Sequence, residues 1–123
     1  MLDKIDFFIG NDNDGYMSIN VRVYEFNIMY TVEHSKKGVL TNTKTISAGP
    51  RTENILKSFN NLNVDKWLNN YEHFVLKRTK WQLKYKKKNG VEYLKKGINA
   101  YPDDFAELLD WFNELAPEAN FSR

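Results

Sequence analysis

The sequence predicts an α+β domain in which two or three helices pack on one face of an antiparallel sheet of about five strands. Three observations favour this class. Apolar and polar residues alternate through the first 46 residues, and apolar residues recur at helical spacing in the middle of the chain. The last part of the chain has a hairpin pattern followed by a helical pattern. A chain of 123 residues fits one domain, residues 1–123, with a core of aromatic and aliphatic side chains.

Alternating side chains predict the strands of the first half. Residues 4–9 form a first strand, and residues 10–15, rich in Asn, Asp and Gly, form a turn. An extended run follows over residues 17–32, and its apolar phase flips near residues 23–25. Because no turn signal accompanies the flip, it indicates a bulge or a bend. Residues 39–46 form a further strand.

Helical spacing predicts the elements that pack on the sheet. Pro50 suits the first turn of a helix whose apolar residues recur over residues 55–62. A second, shorter helical piece covers residues 64–71, and a final helix begins near Pro102. The aromatic and aliphatic residues predicted in the core are Trp67, Trp81, Phe105, Leu109 and Phe112.

The hairpin is predicted from Asn89-Gly90, a strong signal for a two-residue type I′ turn. This turn fixes the register, and it gives the hairpin one core face and one basic face that contains a tyrosine. The cross-strand pairs that follow are Tyr85 with Leu94, Lys84 with Lys95, and Lys86 with Tyr93.

The charge is distributed unevenly along the chain. Although the net charge is only +2, residues 77–96 hold nine Lys or Arg against Glu92 alone, a local charge of +8. Residues 97–123 are acidic, which indicates electrostatic docking of a partner or, alternatively, compensation within the molecule. The residues predicted to bind a partner on the basic hairpin are Lys84, Lys86, Lys88, Tyr93 and Lys95.

The final helix carries an acidic strip opposite its apolar stripe. This strip is typical of a solvated helix face, and it is also a hypothetical surface for a basic partner or a mimic of nucleic acid. Its residues are Asp103, Glu107, Asp110 and Glu114.

Few residues suit catalysis. The chain has no cysteine, and neither His34 nor His73 lies in a catalytic motif. The Asn- and Asp-rich turn does not match a calcium-binding loop, because Gly10 and Val21 occupy the positions of the required acidic residues. We therefore expect no enzyme activity, no metal site and no cofactor, and we interpret this turn as one closed by Asn and Asp side chains.

Three motifs resemble a group of small bacterial proteins of unknown function. They are Val64-Asp-Lys-Trp67 followed by Tyr71, Trp81-Gln-Leu-Lys-Tyr85, and Gly97-Ile-Asn-Ala-Tyr-Pro-Asp-Asp-Phe105. The chain departs from the group over residues 74–80, where the group has an acidic or glycine-containing turn. The resemblance implies a shared fold and assigns no chemistry. We interpret the last motif as structural, with a groove formed by Asn99 and Tyr101 beside Trp81 as the alternative.

These observations predict a non-enzymatic, cytoplasmic protein-binding module with charged patches. The absence of a signal peptide and of a spanning segment favours the cytoplasm and no membrane partner. Inhibitors from phages or mobile elements, such as anti-CRISPR proteins, and immunity proteins belong to this class. The alternative is single-stranded or non-specific nucleic-acid binding through the basic hairpin, residues 77–96. A homodimer is a further alternative.

Overall fold

Seven strands form one mixed sheet in the computed structural model, which describes residues 1–74 and 78–123. Two α-helices and two short 3₁₀ turns, Val64–Lys66 and Pro117–Ala119, complete the described chain. The strands are β1 (Leu2–Asn11), β2 (Gly15–Val23), β3 (Asn27–His34), β4 (Gly38–Ser47), β5 (Asn70–Glu72), β6 (Lys80–Lys87) and β7 (Glu92–Ile98), and the helices are α1 (Pro50–Asn60) and α2 (Phe105–Leu115).

The first strand lies in the middle of the sheet. The strand order is β4-β3-β2-β1-β6-β7-β5, and neighbouring strands are antiparallel except for β5, which pairs in parallel with β7. The predicted α+β class is confirmed. The predicted sheet of about five antiparallel strands is wrong in detail, because the sheet has seven strands and is mixed.

One additional strand arises because the predicted run over residues 17–32 is a hairpin. Strand β2 ends at Val23, and the peptide N–H of Tyr24 donates to the carbonyl of Asn27 at 2.8 Å to close the reversal. The change of apolar phase therefore comes from a loop and not from a bulge or a bend. Residues 24–26 contain no Gly, Pro, Asn or Asp, so the usual turn signal is missing.

The other additional strand is β5, in a region predicted to be helical. Only Val64–Lys66 adopts a helical turn there, and the predicted helix over residues 64–71 is wrong. Lys95 supplies the physical reason, because its ammonium donates to the carbonyl of Trp67 at 2.8 Å and to Oδ1 of Asn69 at 2.9 Å. These tertiary contacts hold the segment against the edge of the sheet.

The helices differ in how closely they follow the prediction. Helix α1 begins at Pro50 as expected, whereas α2 begins at Phe105 and not near Pro102. Asp104 precedes α2, and its carboxylate accepts a hydrogen bond from Nε1 of Trp67 at 2.8 Å. Neither helix of the described chain has the length and apolar character that crossing a membrane requires.

The core lies between the helices and one face of the sheet. Phe7 of β1 stacks on Phe112 of α2, with 4.8 Å between ring centroids, and Trp81 of β6 contacts Phe105 at the same distance. Nε1 of Trp111 joins the two helices by donating to the carbonyl of Ile55 in α1. The predicted core residues are confirmed, because Trp67, Trp81, Phe105, Leu109 and Phe112 are all buried.

Candidate binding surface on the open sheet face

Three residues, 88–90, lie between the hydrogen-bonded residues Lys87 and Val91 in the loop that joins β6 and β7. The N–H of Lys87 donates to the carbonyl of Val91 at 3.0 Å, and the N–H of Gly90 donates to the carbonyl of Lys87 at 2.9 Å. Gly90 has a φ of 90°, as expected for the left-handed residue that ends such a loop. The predicted two-residue turn at Asn89-Gly90 is wrong, and the register differs from the predicted one by one residue.

This difference reverses the orientation of the β7 side chains, because a one-residue shift exchanges the two faces of a strand. Tyr93 faces the helices and stacks on Tyr85, with 4.7 Å between ring centroids. Lys95 also faces the helices and is 4% exposed, whereas Leu94 points away from them and is 44% exposed. Packing against the helix layer thus selects the observed register.

The predicted basic face is therefore divided between the two sides of the sheet. Lys84 opposes Leu94 and Lys86 opposes Glu92 on the side away from the helices. Lys77, where the predicted basic segment begins, lies outside the described residues. The predicted cross-strand pairs that the observed register contradicts are Lys84 with Lys95, Lys86 with Tyr93, and Tyr85 with Leu94.

Two of the lysines predicted to bind a partner are engaged within the molecule. The ammonium of Lys95 binds the loop at Trp67 and Asn69, so this buried lysine has a structural contact. Lys88 forms an ion pair with Asp3 at 2.9 Å and also donates to a backbone carbonyl at the end of β2. The ammonium groups of both lysines therefore donate to groups of their own chain.

A polar cluster lies at the turn end of the hairpin on the helix side. Asp65 accepts hydrogen bonds from Lys87 and from the hydroxyl of Tyr85. Burial favours a raised pKa for Asp65, but these hydrogen bonds outweigh it, and the pKa of the carboxyl is lowered. Burial and the bond to Asp65 raise the pKa of Tyr85. Asp65 is thus ionised beside a protonated tyrosine.

No helix of the part of the chain that the structure describes packs on the other face of the sheet, which we call the open sheet face. Lys4, Asp6 and Phe8 of β1 lie on it and alternate with buried apolar residues. The cations that the strand registers place on this face are Lys4, Arg22, Lys80, Lys84, Lys86 and Lys96.

Three of these cations form a row across neighbouring strands. Lys4 pairs with Lys86 on one side and with Arg22 on the other. Like charges in such positions destabilise a sheet. Arg22 forms an ion pair with Asp6 at 3.0 Å, whereas Lys4 and Lys86 have no carboxylate partner within ion-pair distance among the described residues. An anionic partner would relieve this repulsion.

An aromatic pair lies on the open sheet face near the turn between β1 and β2. Phe8 and Tyr16 meet edge to face with 5.6 Å between ring centroids, and the hydroxyl of Tyr16 donates to Asp12 at 3.0 Å. Both rings are half-buried and border a shallow depression of about 490 Å³. The polar residues that line the rest of the depression are Ser18, Glu33, Ser35 and Lys80.

The acidic strip of α2 is exposed on the helix layer. The helix buries its apolar stripe against the sheet, so its exposed carboxylates point away from the open sheet face. In residues 1–74 and 78–123, no ion pair links the strip to a lysine of the hairpin, so the ion pairs give no support to internal compensation by this helix. The exposed residues of the strip are Asp103, Glu107, Asp110 and Glu114.

The motif Gly-Ile-Asn-Ala-Tyr-Pro has a structural role. A Cβ on Gly97 would lie 2.3 Å from Nε1 of Trp81, whose N–H donates to the carbonyl of Ala100 at 3.0 Å. Asn99 has a φ of 55°, and its Oδ1 accepts the N–H of Thr79 at 2.8 Å. These contacts close the chain around the indole and agree with the structural interpretation of the motif.

The two histidines and the Asn- and Asp-rich turn lie outside strands β6 and β7 of the hairpin, although the N–H of His73 donates to the carbonyl of Ile98 at the end of β7 at 2.9 Å. His34 is buried at the end of β3, and His73 is exposed after β5. The turn has the predicted form, because the N–H of Asp14 donates to Oδ1 of Asn11 at 2.8 Å.

Sequence reasoning identified only part of this surface. It selected Lys84 and Lys86 but missed Lys4, Arg22 and Phe8. Their alternation with apolar residues in β1 and β2 is the signal that could have found them, because it places them opposite the core. The pairing of β1 with β6, which joins the two sets, has no local signal.

No protein-family model matches the chain, and no curated protein or solved structure is significantly similar to it. The resemblance to a group of small bacterial proteins therefore stays a prediction.

Proposed function

We propose that this chain is a non-enzymatic, cytoplasmic protein-binding module whose open sheet face docks a net acidic protein surface. The observation that carries the proposal is the arrangement of the two layers. In residues 1–74 and 78–123, helices cover one face of the sheet only, and the other face displays an aromatic pair together with lysines that have no carboxylate partner. The exposed acidic strip lies on the opposite layer, so the two sides differ in charge.

The open sheet face has the size and composition of a protein interface. Strands lie about 4.8 Å apart, so seven strands give a surface about 29 Å wide. A standard interface buries roughly 800 Å² on each partner and has an aromatic centre with a polar rim. Phe8 and Tyr16 supply aromatic contact area, and the charges of the face supply polar contacts.

Interspersed carboxylates favour a protein over nucleic acid as the partner. A phosphate backbone is uniformly negative and would be repelled at each of them, whereas a protein surface can oppose both signs of charge. Lysines also outnumber arginine on this face, which removes most of the bidentate contacts used in base recognition. The carboxylates that the registers place among the cations are Asp6, Glu33, Glu72 and Glu92.

The exposed edge strand β4 is a poorer docking site than the open sheet face. Its pairing with β3 has two register irregularities, and Thr43 within it has a φ of 56°. Bulges of this kind twist an edge and oppose the addition of another strand. We therefore assign docking to the face of the sheet.

A charge-reversal comparison tests the proposal. Lys84→Glu/Lys86→Glu/Lys96→Glu reverses three cations of the open sheet face, and Arg51→Glu/Lys57→Glu/Lys66→Glu makes the same change of charge at exposed positions outside the sheet. Wild type and the control should capture the same protein from a lysate of the encoding organism, and the open-face variant should not. The purified partner should bind more weakly as salt rises.

The opposite result would contradict the proposed surface. If the open-face variant keeps the partner and the control loses it, docking occurs on the helix layer. Far-ultraviolet circular dichroism and thermal melting of each variant check that the fold is intact. A captured protein of the kind attacked by phage inhibitors, or a toxin, would assign the module to the inhibitor or the immunity class.

Single-stranded nucleic acid is the second candidate, and the row of Lys86, Lys4 and Arg22 on the same face as the Phe8 ring favours it. Cations that contact phosphates beside a ring that stacks on bases are typical of single-strand binders. Fluorescence anisotropy with labelled single-stranded DNA at low and moderate salt tests this candidate on the same variants. Salt-sensitive binding by wild type and the control, without capture of a protein, would select it over the first proposal.

A further inference from the structure

The protonation of His34 follows from its hydrogen bonds. Its Nδ1 accepts the peptide N–H of Lys36 at 3.1 Å and that of Lys37 at 3.2 Å. A ring nitrogen that accepts hydrogen bonds carries no proton, so the neutral imidazole carries its proton on Nε2. His34 thus presents Nε2–H as a hydrogen-bond donor.

The position of the imidazole is fixed by Gly15. A Cβ at this glycine would lie 2.7 Å from Cε1 of His34, so only glycine lets the ring lie against the backbone. His34 is 8% exposed, and no acceptor for its Nε2–H is found within residues 1–74 and 78–123. Nε2 is not one of the fully buried side-chain atoms that lack a partner, so this donor remains accessible to a ligand.

His34 lines a pocket of about 300 Å³ at one end of the sheet. The turn after β1 forms one wall, and residues 120–123 form another. Lys37 and Arg123 bring two cationic side chains to the lining, and the guanidinium of Arg123 lies 4.8 Å from the centroid of the Tyr101 ring. Asp14 also lines the pocket, and its Oδ2 accepts a hydrogen bond from Asn11 at 3.1 Å. The remaining polar side chains of the lining are Asn120, Ser122 and Thr79.

We infer that this pocket binds a small anion through a carboxylate or phosphate group. Nε2–H of His34 donates to an oxygen of the anion, while Lys37 and Arg123 supply the favourable charge. The pocket has the volume of a small-molecule site. It lies beside the covered side of the sheet, and it is independent of protein docking on the open sheet face.

Nuclear magnetic resonance tests the site on the intact chain with inorganic phosphate and acetate as probes. Long-range ¹H–¹⁵N spectra should show the His34 proton on Nε2, and one or both probes should produce saturable shifts at His34 and Lys37 at constant ionic strength. The tighter of the two probes distinguishes a phosphate from a carboxylate ligand. A proton on Nδ1, or no saturable shift with either probe, would overturn the inference.

The variant His34→Asn distinguishes the roles of the two ring nitrogens. The Asn oxygen can replace Nδ1 as the acceptor for the turn, but the donor at the position of Nε2 is lost. We expect the dissociation constant of the probe to rise about tenfold or more, because a charge-assisted hydrogen bond is lost. Unchanged affinity in the folded variant would overturn the inference.

Lys37→Ala provides a second test that keeps the imidazole, and Lys57→Ala on α1 is the control for loss of a lysine. The first should weaken binding of the probe, and the second should leave it unchanged because Lys57 is remote from the pocket. Equal effects of the two substitutions would show non-specific charge attraction and would also overturn the site. This pair decides the question if His34→Asn does not fold.

Discussion

The two faces of the sheet use the same kinds of residue in different ways. In β1, Phe7 is 1% exposed and packs against three other rings, whereas the adjacent Phe8 contacts Tyr16 on the open side. In the hairpin, Lys95 is buried with two hydrogen-bond acceptors, whereas Lys84 is exposed. The comparison teaches that position within the strand register, more than residue type, decides whether a side chain stabilises the fold or remains free for a partner.

The largest expected effect comes from the adjacent phenylalanines. Phe7→Ala should reduce the free energy of unfolding by about 3–5 kcal/mol, because it leaves a cavity among the stacked rings. Phe8→Ala should cost less than about 1.5 kcal/mol, because its ring is only half-buried. Urea denaturation of both variants measures the difference. Similar losses would show that the two faces contribute equally to stability.

The next largest expected change in the free energy of unfolding concerns the lysines of the hairpin. Lys95→Met keeps the apolar stem but leaves the carbonyl of Trp67 and Oδ1 of Asn69 without their donor, so we expect a loss of about 1–3 kcal/mol. Lys84→Met should change stability by no more than about 0.5 kcal/mol, as exposed substitutions usually do. The same denaturation experiment compares them. A larger loss for Lys84 would contradict the observed register.

The smallest effect depends on pH and concerns Asp65. Its folded pKa is lowered from 3.8, so its contribution to stability is fully present above pH 3.8 and is lost as the pH falls through the folded pKa. The melting temperature of Asp65→Asn should therefore lie below that of wild type at neutral pH, and the two should converge in acid. A difference that stays constant with pH would mean that the carboxylate charge is not responsible.

The fold class and the core could be predicted because they follow from local periodicity. Apolar alternation placed Trp81 in a buried strand, and helical spacing placed Phe105, Leu109 and Phe112 on one face of a helix. The register of the hairpin could not be predicted in the same way, because Asn89-Gly90 suits either a two-residue or a three-residue loop. Distant contacts, including the acceptors of Lys95, distinguish the two.

The candidate site was predictable only where it lies within one hairpin. Lys84 and Lys86 follow from the local pattern, but their neighbours Lys4 and Arg22 belong to strands from the other end of the sequence. Strand β5 was missed for a similar physical reason, since its three residues are held by the edge of β7. Pairing between distant segments is decided by the whole core and leaves little trace in either segment.

The central position of β1 has a consequence for the synthesis of the chain. Ile9 pairs with Trp81, so one edge of β1 stays unpaired on the ribosome until the last hairpin emerges. At the usual rates of translation, this interval lasts about 4–14 s, during which an apolar strand with a free edge is exposed. We therefore expect the nascent chain to bind chaperones that recognise extended apolar segments, and slower translation of the second half would lengthen the period in which it can aggregate.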